Sequence, residues 1–187
     1  FLRRHPAIDL EIVVDAALVD IVAEGFDAGV RYEENLALDM VAVPLGAPQR
    51  YVVVAAPALL SSVGAPVEPA DLLTRPCIVT RFPSGAILQW AFEKDGRAVE
   101  LTPPARLTAM NAALQIRAAE DGAGFLLTFE DYARESVAAG RLTTVLDDWS
   151  QSFPGPLLYY PGARRTPPAL RAFIDFIAEW RKARPSG

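Results

Sequence analysis

The sequence predicts an α/β protein with a largely parallel sheet, folded as two lobes joined by crossing strands. Three observations carry that expectation. The stretch Val13 to Arg31 opens with an apolar run ending at Asp15 and continues with a helical segment bearing Leu18, Ile21 and Val22 on one face. Gly25 stops that segment, and a second apolar run, Phe26 to Val30, follows at once. Such a run reads as a strand, a crossover helix and a parallel strand. Short apolar runs then alternate with helical patterns along the rest of the chain, the signature of a sheet covered by helices. Finally, Met40 to Leu45 and Tyr51 to Ala55 flank a turn, Gly46 to Arg50, and such a pair can carry the chain out of one lobe into another. Two lobes of this kind would leave a cleft suited to a ligand-gated hinge.

In chain order, Ile8, Leu10, Ile12 and Val14 alternate with polar residues and predict a first strand, half-buried at its start. Tyr32 to Asp39 is polar and loop-like. Pro57 to Leu60 reads as one helical turn, Ser61 to Ala70 as a loop, and Ala70 to Leu73 as another short turn halted by Pro76. Cys77 to Thr80 is a buried-type strand running into the turn Arg81-Phe82-Pro83-Ser84-Gly85. Leu88, Trp90 and Phe92 alternate up to Asp95-Gly96, a strong hairpin signal, and Arg97 to Leu101 return. Ala105 to Met110 is a strand, after which Asn111 caps a helix, Ala112 to Asp121. Phe125 to Thr128 is a strand and Glu130 to Ala139 a helix ending at Gly140. Leu142 to Leu146 and Leu157 to Tyr160 are further strands. The last helix takes Thr166 as its cap and Pro167 as its first residue, with Leu170, Phe173, Ile174, Ile177 and Trp180 forming an apolar stripe. Trp90 and Trp180 both read as packing residues, and of Tyr159 and Tyr160 one faces in and the other out.

With 187 residues, 51% of them hydrophobic, the chain can bury a real core without staples. A net charge of −5 argues against its gripping a phosphate backbone by itself. Cys77 is the single cysteine, so no internal disulfide forms, and a reducing compartment fits. The longest apolar stretch, Tyr51 to Leu60, contains Pro57 and is too short to span a bilayer. The chain opens at Phe1 rather than Met, and Phe-Leu-Arg-Arg-His-Pro reads as the end of a helix closed by Pro6; the expectation is a fragment with further sequence upstream.

The runs His5-Pro-Ala-Ile-Asp-Leu-Glu11 and Asp20-Ile-Val-Ala-Glu-Gly-Phe-Asp-Ala-Gly-Val-Arg31 resemble the effector-binding domain of LysR-type bacterial transcriptional regulators. So do Tyr51 to Pro57, Asp71-Leu-Leu73, Ala139-Gly-Arg-Leu142 and Ala172-Phe-Ile-Asp-Phe176, and these landmarks follow one another in order over nearly the whole chain. The resemblance implies a fold like that of type 2 periplasmic binding proteins: two Rossmann-like lobes, two crossing strands and an effector site between them. It also implies that a winged helix-turn-helix, a linker helix and the first strand of the first lobe are missing here. On this reading the effector-binding domain is residues 1–187, with lobe one 1–44 plus 154–187 and lobe two 45–153.

Candidate ligand contacts gather at strand ends, where open α/β sheets bind their ligands. Arg81 can take a carboxylate bidentately, Phe82 supplies an apolar wall, and Ser84 and Gly85 expose backbone N–H groups; the bland alternative is a solvated turn with Phe82 in the core. Asp15 and Arg31 flank the other edge, and the favoured account of Arg31 is a pair with Asp15. Asn111 at a helix start presents donors to an anion, although capping is its favoured role. Thr128 and Phe129 end a strand and should face the cleft, with Phe129 as easily core. Motifs for catalysis or metal binding are missing: no nucleophile elbow, no paired Cys or His ligands, no phosphate loop, and Asp147-Asp148 reads as a solvated pair. No cofactor is expected.

The expected function is therefore a cytoplasmic regulatory domain. It would bind a small, possibly anionic effector, pair as a homodimer or homotetramer, reach DNA only through an N-terminal part outside this chain, and touch no membrane. The rivals are a periplasmic solute-binding protein of a transporter and, from another class, a lyase-like enzyme on the same fold using Asp15 or Glu130 as base.

Overall fold

The structure is a computed structural model describing residues 1–14, 20–32, 40–162 and 166–183. Its strands in chain order are β1 (Gly29–Arg31), β2 (Met40–Pro44), β3 (Gln49–Ala55), β4 (Cys77–Val79), β5 (Trp90–Lys94), β6 (Arg97–Leu101), β7 (Ala105–Thr108), β8 (Phe125–Phe129), β9 (Thr143–Val145), β10 (Ser152–Phe153) and β11 (Leu157–Pro161). The α-helices are α1 (Pro57–Val63), α2 (Ala112–Glu120), α3 (Glu130–Ala138) and α4 (Pro168–Lys182), with 3-10 turns at Pro69–Thr74 and Asp147–Trp149. The chain forms two compact units, residues 1–48 with 153–187, and residues 49–152.

The larger unit is built on a mixed sheet of order β10-β3-β8-β4-β7, with β9 also beside β3. β4 runs parallel to both β7 and β8, while β3 is antiparallel to β8. Alternation along the strands sorts their side chains into two cores. Val53, Val79 and Leu127 face one side, where Leu59 of α1, Leu72, Trp90 of the hairpin and Trp149 cover them. Val52, Val54, Ile78 and Leu126 face the other, beneath Ala119 of α2 and Ala133 of α3. β5 and β6 form the expected hairpin, and its Asp95-Gly96 corner has φ of 53° and 78°, the two positive values a type I′ turn needs. The outer helices are tied by Glu120, which accepts from Ser136 Oγ at 2.7 Å and Arg141 Nε at 2.6 Å, so its carboxyl titrates below the usual range.

The smaller unit has a three-stranded sheet of order β1-β11-β2, antiparallel throughout. Its core is Leu158 and Tyr160 of β11 against Leu170, Ile174 and Ile177 of α4. Several sequence expectations need correction here. Ile8 to Val14 is not a strand: Ile12 and Val13 are exposed and Val14 is 95% exposed. Alternation supplies an apolar face, but a strand exists only where a neighbour takes its hydrogen bonds, and no described strand lies beside this run. The strand after the crossover pairs with β11, antiparallel rather than parallel. The segment before it ends in a turn as expected: Asp20 Oδ1 accepts from the N–H groups of Val22 and Ala23, and Phe26 N–H closes onto Ile21 O at 2.8 Å. Leu18 and Asp15 lie outside the described residues.

α4 starts one residue later than expected. Pro167 is its cap, with ψ of 145°, and Pro168 is its first residue; a residue preceding proline is excluded from helical geometry, so Thr166 makes no cap. Trp180 lies outside the core that α4 makes with β11 and is 42% exposed, where its stripe implied burial. Tyr159 and Tyr160 are both buried. Tyr159 closes over Gly29, its cross-strand partner, where a Cβ would come within 2.5 Å of the ring.

Candidate functional site

Parallel strands deliver their carboxyl ends to one edge, and in the larger unit that edge gathers most of the predicted contacts. β4 leads into Thr80 and Arg81, β7 into Ala109 to Asn111 and the start of α2, and β8 into Thr128 and Phe129. β4 and β8 align Ile78 with Leu126, so two residues further on Thr80 falls beside Thr128, both on the face that α2 covers.

After Thr80 the chain makes a tight reversal. Phe82 N–H bonds to Ala86 O at 2.8 Å, Gly85 N–H to Phe82 O at 2.9 Å, and Arg81 bridges Ile87. Pro83 sets the second position of this turn, and Gly85, with φ of 88°, supplies the left-handed residue that rejoins the hairpin. Arg81 and Ser84 are exposed and Phe82 is half-buried. Ser84 Oγ accepts from Ala86 N–H at 3.4 Å. The Arg81 guanidinium meets no hydrogen-bond or ion-pair partner among the described residues.

Asn111 caps α2 as expected, its Oδ1 accepting from Leu114 N–H at 3.0 Å. With Gln115 N–H on Asn111 O, the Ala112 and Ala113 N–H groups at the positive end of the helix stay open. Thr128 is 6% exposed, and its hydroxyl has no hydrogen-bond partner among the described residues. Phe129 stacks on Tyr51, its cross-strand neighbour, with centroids 4.5 Å apart, and meets Tyr132 edge-on. Burial holds the Tyr51 phenol above its usual range, with Tyr132 adding to the shift.

Two residues of this edge were not singled out from the sequence. Gln115 is 5% exposed, and its Nε2 donates to Thr80 Oγ1 at 2.9 Å and to Ala109 O at 2.8 Å, tying the end of β4 to the turn before α2. Thr80 is legible in retrospect, being a threonine ending a strand as Thr128 is. Gln115 is not, because a glutamine in an alanine-rich helix looks like a solvated one until the helix is docked.

The remaining candidates lie elsewhere. Arg31 is on β1, where its Nε donates to Tyr159 Oη at 3.0 Å; its expected partner Asp15 is outside the described residues. Glu130, one suggested base, carries an ion pair with Arg50 at 2.7 Å. Asp147 and Asp148 are not simply solvated: Asp147 accepts from Thr144 Oγ1 and faces Arg50, and Asp148 pairs with Lys94. Among the described residues no cluster of His, Cys, Asp and Glu can hold a metal ion, and no helix is long and apolar enough to cross a membrane. Cys77 is buried against Leu72 O and its thiol is pushed up to about 12 by burial. The folded chain should therefore leave a disulfide reagent such as dithiobis(nitrobenzoate) unreacted at pH 8 and release one equivalent of thiol on adding urea; fast labelling without urea would contradict this packing.

Residues 1–182 match the LysR substrate binding domain family. The chain belongs to that family. The domain is 37% identical over 95% of its length to an uncharacterised HTH-type transcriptional regulator, YcaN, of Escherichia coli K12, and 36% identical over its full length to a putative transcriptional regulator of Pseudomonas aeruginosa. It spans 58% and 60% of those two proteins. The full-length Vibrio cholerae virulence activator AphB superposes with a TM-score of 0.81 at 25% identity, covering 96% of this chain and 60% of that one. The fold is thus that of LysR-type regulatory domains, like type 2 periplasmic binding proteins. These relatives are transcriptional regulators, which does not favour the transporter or the lyase reading.

Proposed function

We propose that this LysR-type domain is the effector sensor of a transcriptional regulator, and that it takes a small carboxylate at the carboxyl edge of β4, β7 and β8. The observation that carries this reading is the conjunction, on one edge, of a guanidinium without a side-chain partner among the described residues, two open N–H groups at a helix start and a threonine hydroxyl still free to bond. The guanidinium and the two N–H groups only donate and the hydroxyl can donate, so together they match a carboxylate better than a cation or an apolar body. With a net charge of −5 the domain reaches DNA through a helix-turn-helix part belonging to the whole protein, not through its own surface. Occupancy would select one of two arrangements of the lobes, and a dimer or tetramer of the whole cytoplasmic protein would pass that choice to the DNA.

The test is a titration of the ¹⁵N-labelled domain with acetate, benzoate and succinate, with chloride as ionic-strength control. Saturable amide shifts at residues 80–85, 111–113 and 128–129 are expected for at least one carboxylate. Arg81→Ala should weaken that ligand about tenfold, the worth of one charge-assisted hydrogen bond, with the melting temperature unchanged. Shifts scattered away from this edge, or unchanged affinity in Arg81→Ala, would overturn the respective assignment.

A further inference from the structure

We propose that Gln115 is a positioning residue that fixes the Thr80 hydroxyl as an outward hydrogen-bond donor, so that the end of β4 selects an acceptor oxygen of the effector. The proposal rests on the effector reading above and adds to it a residue that need touch no ligand.

The Ala109 carbonyl only accepts, so the Gln115 group 2.8 Å from it must be the amide nitrogen, and this fixes which way the side-chain amide is turned. Its second N–H then points to Thr80 Oγ1 at 2.9 Å. Both hydrogens of the amide are spent inside the protein, one on each side of the edge. The Thr80 oxygen, receiving a hydrogen from within, keeps its own to give away, and among the described residues nothing accepts it. Thr80 is half-buried and its backbone is held by Leu88 N–H on Thr80 O at 2.9 Å, so the hydroxyl cannot easily leave the edge. Beside it in the strand register lies Thr128, whose hydroxyl also has no hydrogen-bond partner among the described residues, and α2 begins at the same edge with the open N–H groups of Ala112 and Ala113. Ala109 itself is anchored by its N–H on Val79 O at 3.0 Å, so the chain of bonds runs from the β4 backbone through Ala109 and Gln115 back to the end of β4. A ring closed in this way holds a donor at a fixed place without using a charge.

A glutamate at position 115 would reverse the ring. Its carboxylate accepts, so the Thr80 hydroxyl would turn inward to donate to it and the edge would lose one donor. Titrating the chain with acetate and following amide shifts, we expect Thr80→Val and Gln115→Glu each to weaken acetate about tenfold. In the Thr80→Val background, Gln115→Glu should bring little further loss, because its effect passes through the hydroxyl already removed. Should a buried glutamate unfold the chain, Gln115→Met keeps the volume without donor or acceptor and should weaken acetate severalfold. Additive losses in the double variant would mean that Gln115 merely braces the fold, and wild-type affinity in Gln115→Glu or Gln115→Met would remove it from the site; either result overturns the proposal while leaving the effector reading in place. If the wild-type chain shows no saturable shift at this edge with acetate, benzoate or succinate, both fall together.

Discussion

Cutting Trp90 back to alanine should lower the unfolding free energy of the larger unit by about 3–5 kcal/mol. Trp90 is 1% exposed and lies in the core that joins the β5–β6 hairpin to the sheet, with Val79, Phe125, Leu127 and Trp149 among its companions. Among the described residues neither strand of the hairpin pairs with the main sheet; beyond the backbone ties of Ile87 and Leu88 to the end of β4, side-chain burial is what attaches it. Removing the indole leaves a cavity that β-sheet neighbours, fixed by their own ladders, cannot collapse to fill. Urea unfolding followed by circular dichroism reads the loss directly. Trp180→Ala is the internal contrast, since its half-exposed ring at the end of α4 should cost only about 1 kcal/mol or less. Equal losses in the two variants would mean that the hairpin is not held as described.

Gly124→Ala should be nearly as damaging, by about 3 kcal/mol, for the opposite reason. Gly124 lies between α2 and β8, and a Cβ there would come within 2.7 Å of Pro76 O and 3.2 Å of the Cys77 carbonyl carbon. These are backbone atoms at the start of β4, so no side chain can swing aside. Phe125 N–H bonds to the same Pro76 O at 2.9 Å, and pushing the strands apart would stretch the bond that sets the β4–β8 register. That register places Thr80 beside Thr128. The variant should therefore lose acetate binding along with stability, and a thermal melt together with the amide titration would show whether both change. A melting temperature within a degree of wild type would contradict the close approach.

Much of the larger unit could be read directly from its residues. Asp95-Gly96 between alternating apolar runs announced its hairpin, Asn111 its helix cap, and Cys77 to Thr80 and Phe125 to Thr128 their strands, because each signal is local and each was satisfied locally. The smaller unit was read less well. Ile8 to Val14 has the pattern of a strand as clear as any in the chain, yet it forms none among the described residues, and the strand at Gly29–Arg31 runs antiparallel to its neighbour. Periodicity says which face is apolar; it cannot say which other segment will take the hydrogen bonds.

The candidate site divides in the same way. Arg81, Phe82, Ser84 and Gly85 were legible because a charged, glycine-bearing turn after a buried strand marks a strand's carboxyl end, and Thr128 and Phe129 by the same logic. Gln115 and the pairing of Thr80 with it were not legible, since the two are joined only when α2 docks on the sheet. Tyr159 over Gly29 is similar: a tyrosine becomes buried because its cross-strand partner has no side chain, a fact that appears in neither segment alone. The amino-acid sequence by itself determined the α/β class and the placing of the charged, glycine-bearing turn after Thr80 at a strand's carboxyl end, which follow from short-range pattern, and the family, which follows from the resemblance of its ordered motifs. Only the tertiary structure decided which strands pair, in which direction, and which polar groups are left over at the edge, because those depend on hydrogen bonds between residues far apart in the chain.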